Sequence, residues 1–366
     1  MTLYLWICIW YLLCALAFHM FEYNTRKSLE FFFCLAPTLI IVSMRNDTVG
    51  TDTLQYVTAA DSMKSLGYDQ YLSQGLYSYY EPAFTGLLRI CTLFNDPRHA
   101  LIFISSLLII IPPFYVIYKI VDYPALIYCV YFLTTQLFMD MNAMRQSISV
   151  AFIYIAILVY SQSNKLLYPT IFIIFGSLFH YPALIAIIVI YLAKYKNVNN
   201  KIVAVVLFLV VPIVALVGSR FNSLFSIIKK YDGYLNNGTD YLTAGKIMPL
   251  LQIVIFGTMV LCCIYINNKK KEFLFDDMSL IYKMHMYASM IGICIGVCAM
   301  YINLFYRFMY DVLPFITIGV AYVLRRYKND ALLNITLVSI IILFYTAFMF
   351  VPSTWFGISE YSFYRC

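Results

Sequence analysis

Long apolar runs, interrupted by short polar or basic stretches, set the organisation of this chain. Runs able to cross a bilayer cover, approximately, residues 2–22, 28–44, 99–118, 123–139, 143–161, 166–179, 181–194, 201–219, 249–267, 283–302, 307–325 and 331–351. At a rise of about 1.5 Å per residue, roughly 20 apolar residues cross a hydrocarbon core of about 30 Å. The pattern predicts an all-α polytopic membrane protein of about 12 transmembrane helices, with residues 1–366 forming a single integral membrane domain. An outer-membrane barrel does not fit, because its strands alternate in short segments whereas these runs are continuous. The apolar start lacks a basic n-region and a small-residue cleavage site, and is read as a retained span.

Two longer polar segments, 45–98 and 220–248, fall between spans. Basic clusters orient the layout. Lys269, Lys270, Lys271 and Lys283, then Lys194, Lys196 and Lys201, then Arg325, Arg326 and Lys328 flank three connections, which the positive-inside rule places in the cytoplasm. Arg26 and Lys27 then fall inside as well, and both long segments fall outside. Within 45–98, the apolar stretch from Glu81-Pro82 to Arg89 is too short and too charged for a span and is read as a re-entrant or interfacial helix. A rival layout makes 82–96 a true span and 166–194 one broken span, which moves Arg145 to the cytoplasmic side.

Composition narrows the class further. With 63% apolar, 18% aromatic and 12% charged residues, and a mean hydropathy of +0.80, a soluble enzyme and a disordered chain are both excluded. The net charge of +7 does not signal nucleic acid, since the basic residues are scattered among loops with no stripe to follow a phosphate backbone. The ten cysteines show no zinc spacing and read as small buried hydrophobes. In the favoured layout the cations separate by type. Arg45, Arg89, Arg98, Arg145, Arg220, Arg307 and Arg365 lie outside, whereas most lysines lie inside. Arginine presents a planar fork of donors to phosphate and carboxylate oxygens, so its concentration on one face suggests an anion site there.

Charged groups at membrane depth are expensive and are usually functional or paired. Four stretches stand out. Arg45 to Tyr56 gathers one cation, the carboxylates Asp47 and Asp52, and Gly50 for a tight turn; an ordinary polar turn with Arg45 paired to Asp47 is the alternative. Asp140 to Gln146 opens a span, with Asp140 and Arg145 five residues apart and imperfectly placed to pair on one helix. His180 and Tyr181 join two short runs, which would keep the connection below the outer surface. Arg307, Tyr310 and Asp311 close the list, with an Arg307–Asp311 bridge at i, i+4 as the plain alternative.

At these residues the sequence resembles the EpsG-like family of bacterial polysaccharide polymerases, which includes Wzy-type O-antigen polymerases. The matching pieces are Arg45 with Gly50-Thr51-Asp52 and Tyr56, then Glu81-Pro82-Ala83-Phe84, Arg145-Gln146, His180-Tyr181, and Arg307 with Tyr310. The resemblance implies a multi-pass protein of the bacterial inner membrane, a glycosyltransferase whose active site faces the periplasm. It would join undecaprenyl-pyrophosphate-linked oligosaccharide repeat units, with a chain-length regulator protein as a possible partner. The segment 220–248, with Arg220, takes the place of the family's large periplasmic loop.

The leaving group in such a reaction is a lipid pyrophosphate, and fixed arginine donors in a poorly hydrated site can stabilise its charge without a metal or other cofactor. Arg145 and Arg307, assisted by Arg45 and Arg220, are the expected pyrophosphate and sugar ligands, with Gln146, Tyr181 and Tyr310 beside them. His180, Asp52 and Glu81 are the candidates to take the acceptor proton. No metal site is expected, since Asp47 and Asp52 supply at most two ligands. An O-antigen ligase or another lipid-linked glycosyltransferase is one competing function, and a transporter or flippase of the lipid-linked unit is another.

Overall fold

The computed structural model describes residues 2–73, 80–194, 241–269, 280–301, 303–350, 357–358 and 360–364. Regular structure among them is helical, with one isolated antiparallel bridge between Arg45 and Phe363. Among the described residues, five helical stretches are long and apolar enough to cross a membrane: Pro97–Ile120, Met144–Ser163, Pro249–Ile266, Leu280–Met300 and Phe305–Arg326. Shorter apolar helices accompany them. The multi-pass, all-helical reading therefore holds. The expected span at 201–219, most of segment 220–248 and Arg220 lie outside the described residues.

The chain divides into two compact units, residues 1–184 with 352–366, and residues 185–351. In the first, α1 (Thr2–Phe18) and α2 (Tyr23–Ser43) are followed by three short helices, α3 (Thr53–Leu66), α4 (Tyr68–Ser73) and α5 (Pro82–Cys91). Then come α6 (Pro97–Ile120), α7 (Pro124–Leu133), α8 (Gln136–Asn142), α9 (Met144–Ser163) and α10 (Leu167–Ser177). Proline opens α5, α6 and α7, where its missing N–H and fixed φ cost nothing. Asp96 caps α6 by accepting from the Arg98 and His99 amides at 3.0 and 3.1 Å. At α5 the ten residues extend about 15 Å, short of a hydrocarbon core of about 30 Å.

The expected span at 123–139 is not one helix. Thr135 adopts φ 65°, and the chain restarts there as α8. Polar side chains mend the break: the Gln136 amide donates to Thr134 Oγ1 at 2.9 Å, and the Tyr154 hydroxyl donates to Gln136 Oε1 at 2.8 Å. Away from water, backbone irregularity survives only with such partners. Asp140 and Arg145 therefore lie on different helices, which removes the imperfect pairing on one helix expected from their spacing. Helices α9 and α10 run antiparallel in close contact. A Cβ on Gly176 would lie 2.9 Å from Phe152 Cβ and 3.1 Å from the Ser149 carbonyl, so only glycine permits this approach.

Hydrogen bonds sort the ends of the first unit. One end joins the start of α1, the end of α2, the start of α6, the α8–α9 junction and the end of α10. The contacts that show it run from Tyr4 to Ile358, Tyr364 to Met44 and Asp96, Asp52 to Asn142, and Ala83 to Leu178. The opposite end holds the α1–α2 and α6–α7 connections, where Tyr23 and Arg26 reach Asp122 and Glu30 accepts from the Ala125 amide. Arg45 and Arg145 stand at the same end, as the favoured layout requires.

The second unit contains α11 (Ile185–Lys194), α12 (Tyr241–Lys269), α13 (Leu280–Tyr301), a 3-10 helix (Asn303–Met309), α14 (Leu313–Arg326) and α15 (Ala331–Phe350). Its α13 packs on α11, α12 and α14. The run expected as one span from 307 starts as a 3-10 turn and becomes α-helical only at Leu313, where Pro314 follows. Arg307 and Asp311 consequently do not share one α-helix.

Candidate active site

The residues expected to carry chemistry in the first unit come from five elements. Glu81 is the residue before the first turn of α5, and its position is fixed from two sides. Its carbonyl accepts from the Thr85 amide at 3.0 Å and the Thr85 hydroxyl at 3.2 Å, while the next amide but one, Ala83, donates to Leu178 at the end of α10 at 3.0 Å. The side chain is 5% exposed, and both oxygens are engaged. Oε2 accepts from Arg145 Nη1 at 2.5 Å, and Oε1 stands 3.4 Å from His180 Nδ1. Three residues far apart in sequence thus meet as Arg145–Glu81–His180.

Arg145 opens α9, and its guanidinium is enclosed by aromatic rings. It lies 5.0 Å from the Tyr80 ring centre, 5.5 Å from Tyr56 and 6.0 Å from Phe84. Those three rings pack on one another at 5.3 to 6.0 Å in edge or tilted contacts. Ring quadrupoles attract a cation, by about 2 kcal/mol where water is excluded, and they hold the fork in one orientation. Burial would raise the Glu81 pKa, but the hydrogen bond with His180 and the Arg145 charge outweigh it and hold the carboxyl at about 2. Glu81 is a fixed anion at neutral pH.

Asp52 reaches the neighbourhood through its backbone. Its amide donates to Asn142 Oδ1 at 2.9 Å, the same oxygen accepts from Thr51 Oγ1 at 3.0 Å, and Thr53 Oγ1 donates to the Met141 carbonyl at 3.0 Å. Gly50 makes this possible: its φ is 97°, and a Cβ there would lie 2.4 Å from the Met141 carbonyl oxygen. Half-buried Asp52 lies within electrostatic reach of the Tyr80 hydroxyl, as does Arg145. Gln146 follows Arg145 and is buried on α9, and Tyr181, beside His180, is 52% exposed.

Arg45 has other company. It is fully buried, and Nη1 donates to the Val42 carbonyl and, at 3.1 Å, to Ser106 Oγ. Asp47 pairs with Arg98, not with Arg45. Asp140, also buried, accepts from the Tyr131 hydroxyl. Arg307 and buried Tyr310 belong to the second unit, where the Tyr310 amide donates to the Arg307 carbonyl at 3.1 Å. Among the described residues no group of three or more His, Cys, Asp or Glu side chains gathers to hold a metal ion.

Sequence reasoning passed over Tyr80 and the bridging role of Asn142. One tyrosine among 34 carries no signal of its own, and an asparagine at a helix end reads as an ordinary terminus until its partner is known. The resemblance noted from the short motifs is met by a direct comparison of the chain with family models, in which the EpsG family model matches residues 29–363. No curated protein sequence and no solved structure matches it. Since the match covers nearly the whole chain, the protein belongs to the EpsG family, which is related to the Wzy-type polysaccharide polymerases.

Proposed function

We propose that this protein is a polysaccharide polymerase that joins lipid-pyrophosphate-linked oligosaccharide repeat units by glycosyl transfer, at the periplasmic face of the bacterial inner membrane. The Arg145–Glu81–His180 constellation carries the reading. Glycosyl transfer from a lipid pyrophosphate needs two things: a group to take the acceptor hydroxyl proton, and positive charge where the leaving group develops negative charge.

His180 is the base in this proposal. Glu81, ionised down to a pH of about 2, is too weak a base to hold the proton itself at neutral pH. Its carboxylate instead orients the imidazole through Nδ1 and stabilises the imidazolium once Nε2 has accepted the proton. Arg145, held by Glu81 and by a hydrogen bond with Tyr56, is proposed to supply positive charge toward the donor pyrophosphate, and the first turn of α9 adds positive potential at the same place. Asp52 is proposed to hydrogen-bond sugar hydroxyls, and exposed Tyr181 to offer them a ring face. The acceptor oxygen then displaces the pyrophosphate at the anomeric carbon.

The test is elongation by purified protein given lipid-linked units alone. Wild-type protein is expected to form longer oligosaccharides, and His180→Ala to form none. A wild-type protein that moves the lipid-linked unit across vesicles without elongating it would overturn the reading in favour of transport. For the side of the membrane, a reporter fused after Ser161 is expected to read cytoplasmic. An external reading would put the site on the wrong face.

A further inference from the structure

Segment 357–364 follows the helices of the second unit in sequence, yet it packs within the first. It lies along the 44–50 loop and supplies three backbone hydrogen bonds to it. The Gly50 amide donates to the Gly357 carbonyl at 3.1 Å, the Asn46 amide to the Ser362 carbonyl at 2.8 Å, and the Tyr364 amide to the Met44 carbonyl at 2.8 Å. Side chains anchor the segment on either side. Tyr361 donates to the Ile41 carbonyl at 2.8 Å, Tyr4 donates to the Ile358 carbonyl at 2.8 Å, Tyr364 donates to Asp96, and its ring lies 4.2 Å from that of His99. Irregular backbone at a span end needs partners of this kind, and here much of the supply comes from residues more than 300 positions away.

The loop does not stop at Gly50. It runs directly into Thr51 and Asp52, which bond Asn142, the last residue of α8, and Arg145 lies just across the α8–α9 junction. Arg45, bridged to Phe363, is sealed below with no exposed surface. We propose that segment 357–364 is a positioning strap, in which Gly357, Tyr361 and Tyr364 act through the 44–50 loop and Asn142 to hold Asp52 and the Arg145 end of α9 in register. Arg45 is then a positioning residue under the strap and not a ligand of the substrate. The proposal deepens the reaction reading above and rests on it only for its rate measurements.

Hydrogen–deuterium exchange of the purified full chain, followed in the peptide covering residues 46–53, tests it with and without the reaction. Gly357→Val sets a branched side chain against Thr51, 3.2 Å from the position a Cβ would take. It is expected to speed exchange of that peptide about tenfold and to lower kcat about tenfold while the donor KM stays within about twofold. Asn142→Ala is expected to do the same. Because both open one loop, the double variant should lose little more than the worse single one, whereas independent destabilisation would add. Tyr361→Phe and Tyr364→Phe each remove one hydrogen bond and keep the ring. They supply the exchange test should Gly357→Val fail to fold, and each is expected to speed exchange by about twofold. Unchanged exchange at 46–53 in folded strap variants, or additive losses in the double variant, would overturn the strap. A wild-type protein that elongates nothing would overturn the reaction reading and leave the exchange result to decide the strap.

Discussion

Both ends of the first unit bury an arginine against a glutamate, and the two pairs differ in every respect that matters. At one end Arg26 and Glu30 sit at i, i+4 on α2, 3.7 Å apart. Arg26 also donates to the Asp122 carbonyl at 3.0 Å and lies over the Tyr123 ring, and Glu30 accepts from the Ala125 amide at 3.0 Å. Every one of those partners closes a connection between helices. At the other end Arg145 and Glu81 are 64 residues apart in sequence, at 2.5 Å, and the second carboxylate oxygen faces a histidine. The local pair anchors a helix end. The non-local pair has a titratable third member and a cage of rings that fixes its orientation. A buried ion pair by itself is weak support for function, since desolvation offsets most of the attraction, so the third partner is what separates the two.

The comparison is broken most directly by neutralising each glutamate in turn. Glu81→Gln is expected to cut elongation by about 10³-fold, because the imidazole loses its orienting charge, whereas Glu30→Gln lowers the unfolding midpoint and leaves kcat of the folded protein within about twofold. Equal losses of kcat would erase the distinction. Arg145→Lys comes next, with an expected loss of about 10²-fold in donor use, since an ammonium cannot reproduce a planar fork of donors. Unchanged polymer length in cells carrying it would remove the arginine fork from the proposed mechanism. For the cage, Tyr80→Leu is expected to cost about tenfold in kcat, read in the same elongation assay, through a loosened Arg145 guanidinium. A lysine at position 145 should be no better held, so the two substitutions together should not add.

The smallest expected effect is on acid stability. Glu81 titrates at about 2 in the folded protein against its ordinary 4.5. A depressed carboxyl contributes stability that is present above about pH 4.5 and is lost as pH falls from there towards 2. Unfolding midpoints measured across that window should therefore drop in wild-type protein and drop less in Glu81→Gln. Parallel curves would show that Glu81 is not held by Arg145 and His180 in solution.

Much of the helical layout was legible in the runs of apolar residues, because each span must satisfy its own backbone and bury or expose its side chains within one contiguous stretch. The boundaries at α2, α6, α9 and α15 fall close to the expected ones. The misjudged stretches are those where a tertiary partner replaces a local one. Thr135 breaks a run that reads as continuous, and Tyr154 and Gln136 repair it from another helix and the next turn. The start of the run expected from 307 reads as α-helix because nothing in its composition forbids it, yet it begins as a 3-10 turn. For the site, the residue types and their order along the chain were readable, since charges near span ends are costly enough to stand out. Their grouping was not. Nothing in the sequence separates Arg45, which settles beneath residues 357–364, from Arg145, which takes Glu81 and the ring cage.

By itself, then, the sequence determined the class of molecule, the all-helical construction and a short set of chemically charged positions, because hydrophobic periodicity and the cost of buried charge are local properties of the chain. Only the tertiary structure decided which charges meet. The distance between Glu81 and its two partners is set where α5, packed on α3 and α6, brings its first residues to the start of α9 and the end of α10. The hydrogen bonds between residues 357–364 and the 44–50 loop join positions more than 300 residues apart in sequence. Contacts of that separation are fixed by how helices pack, and a single sequence records helix packing only indirectly.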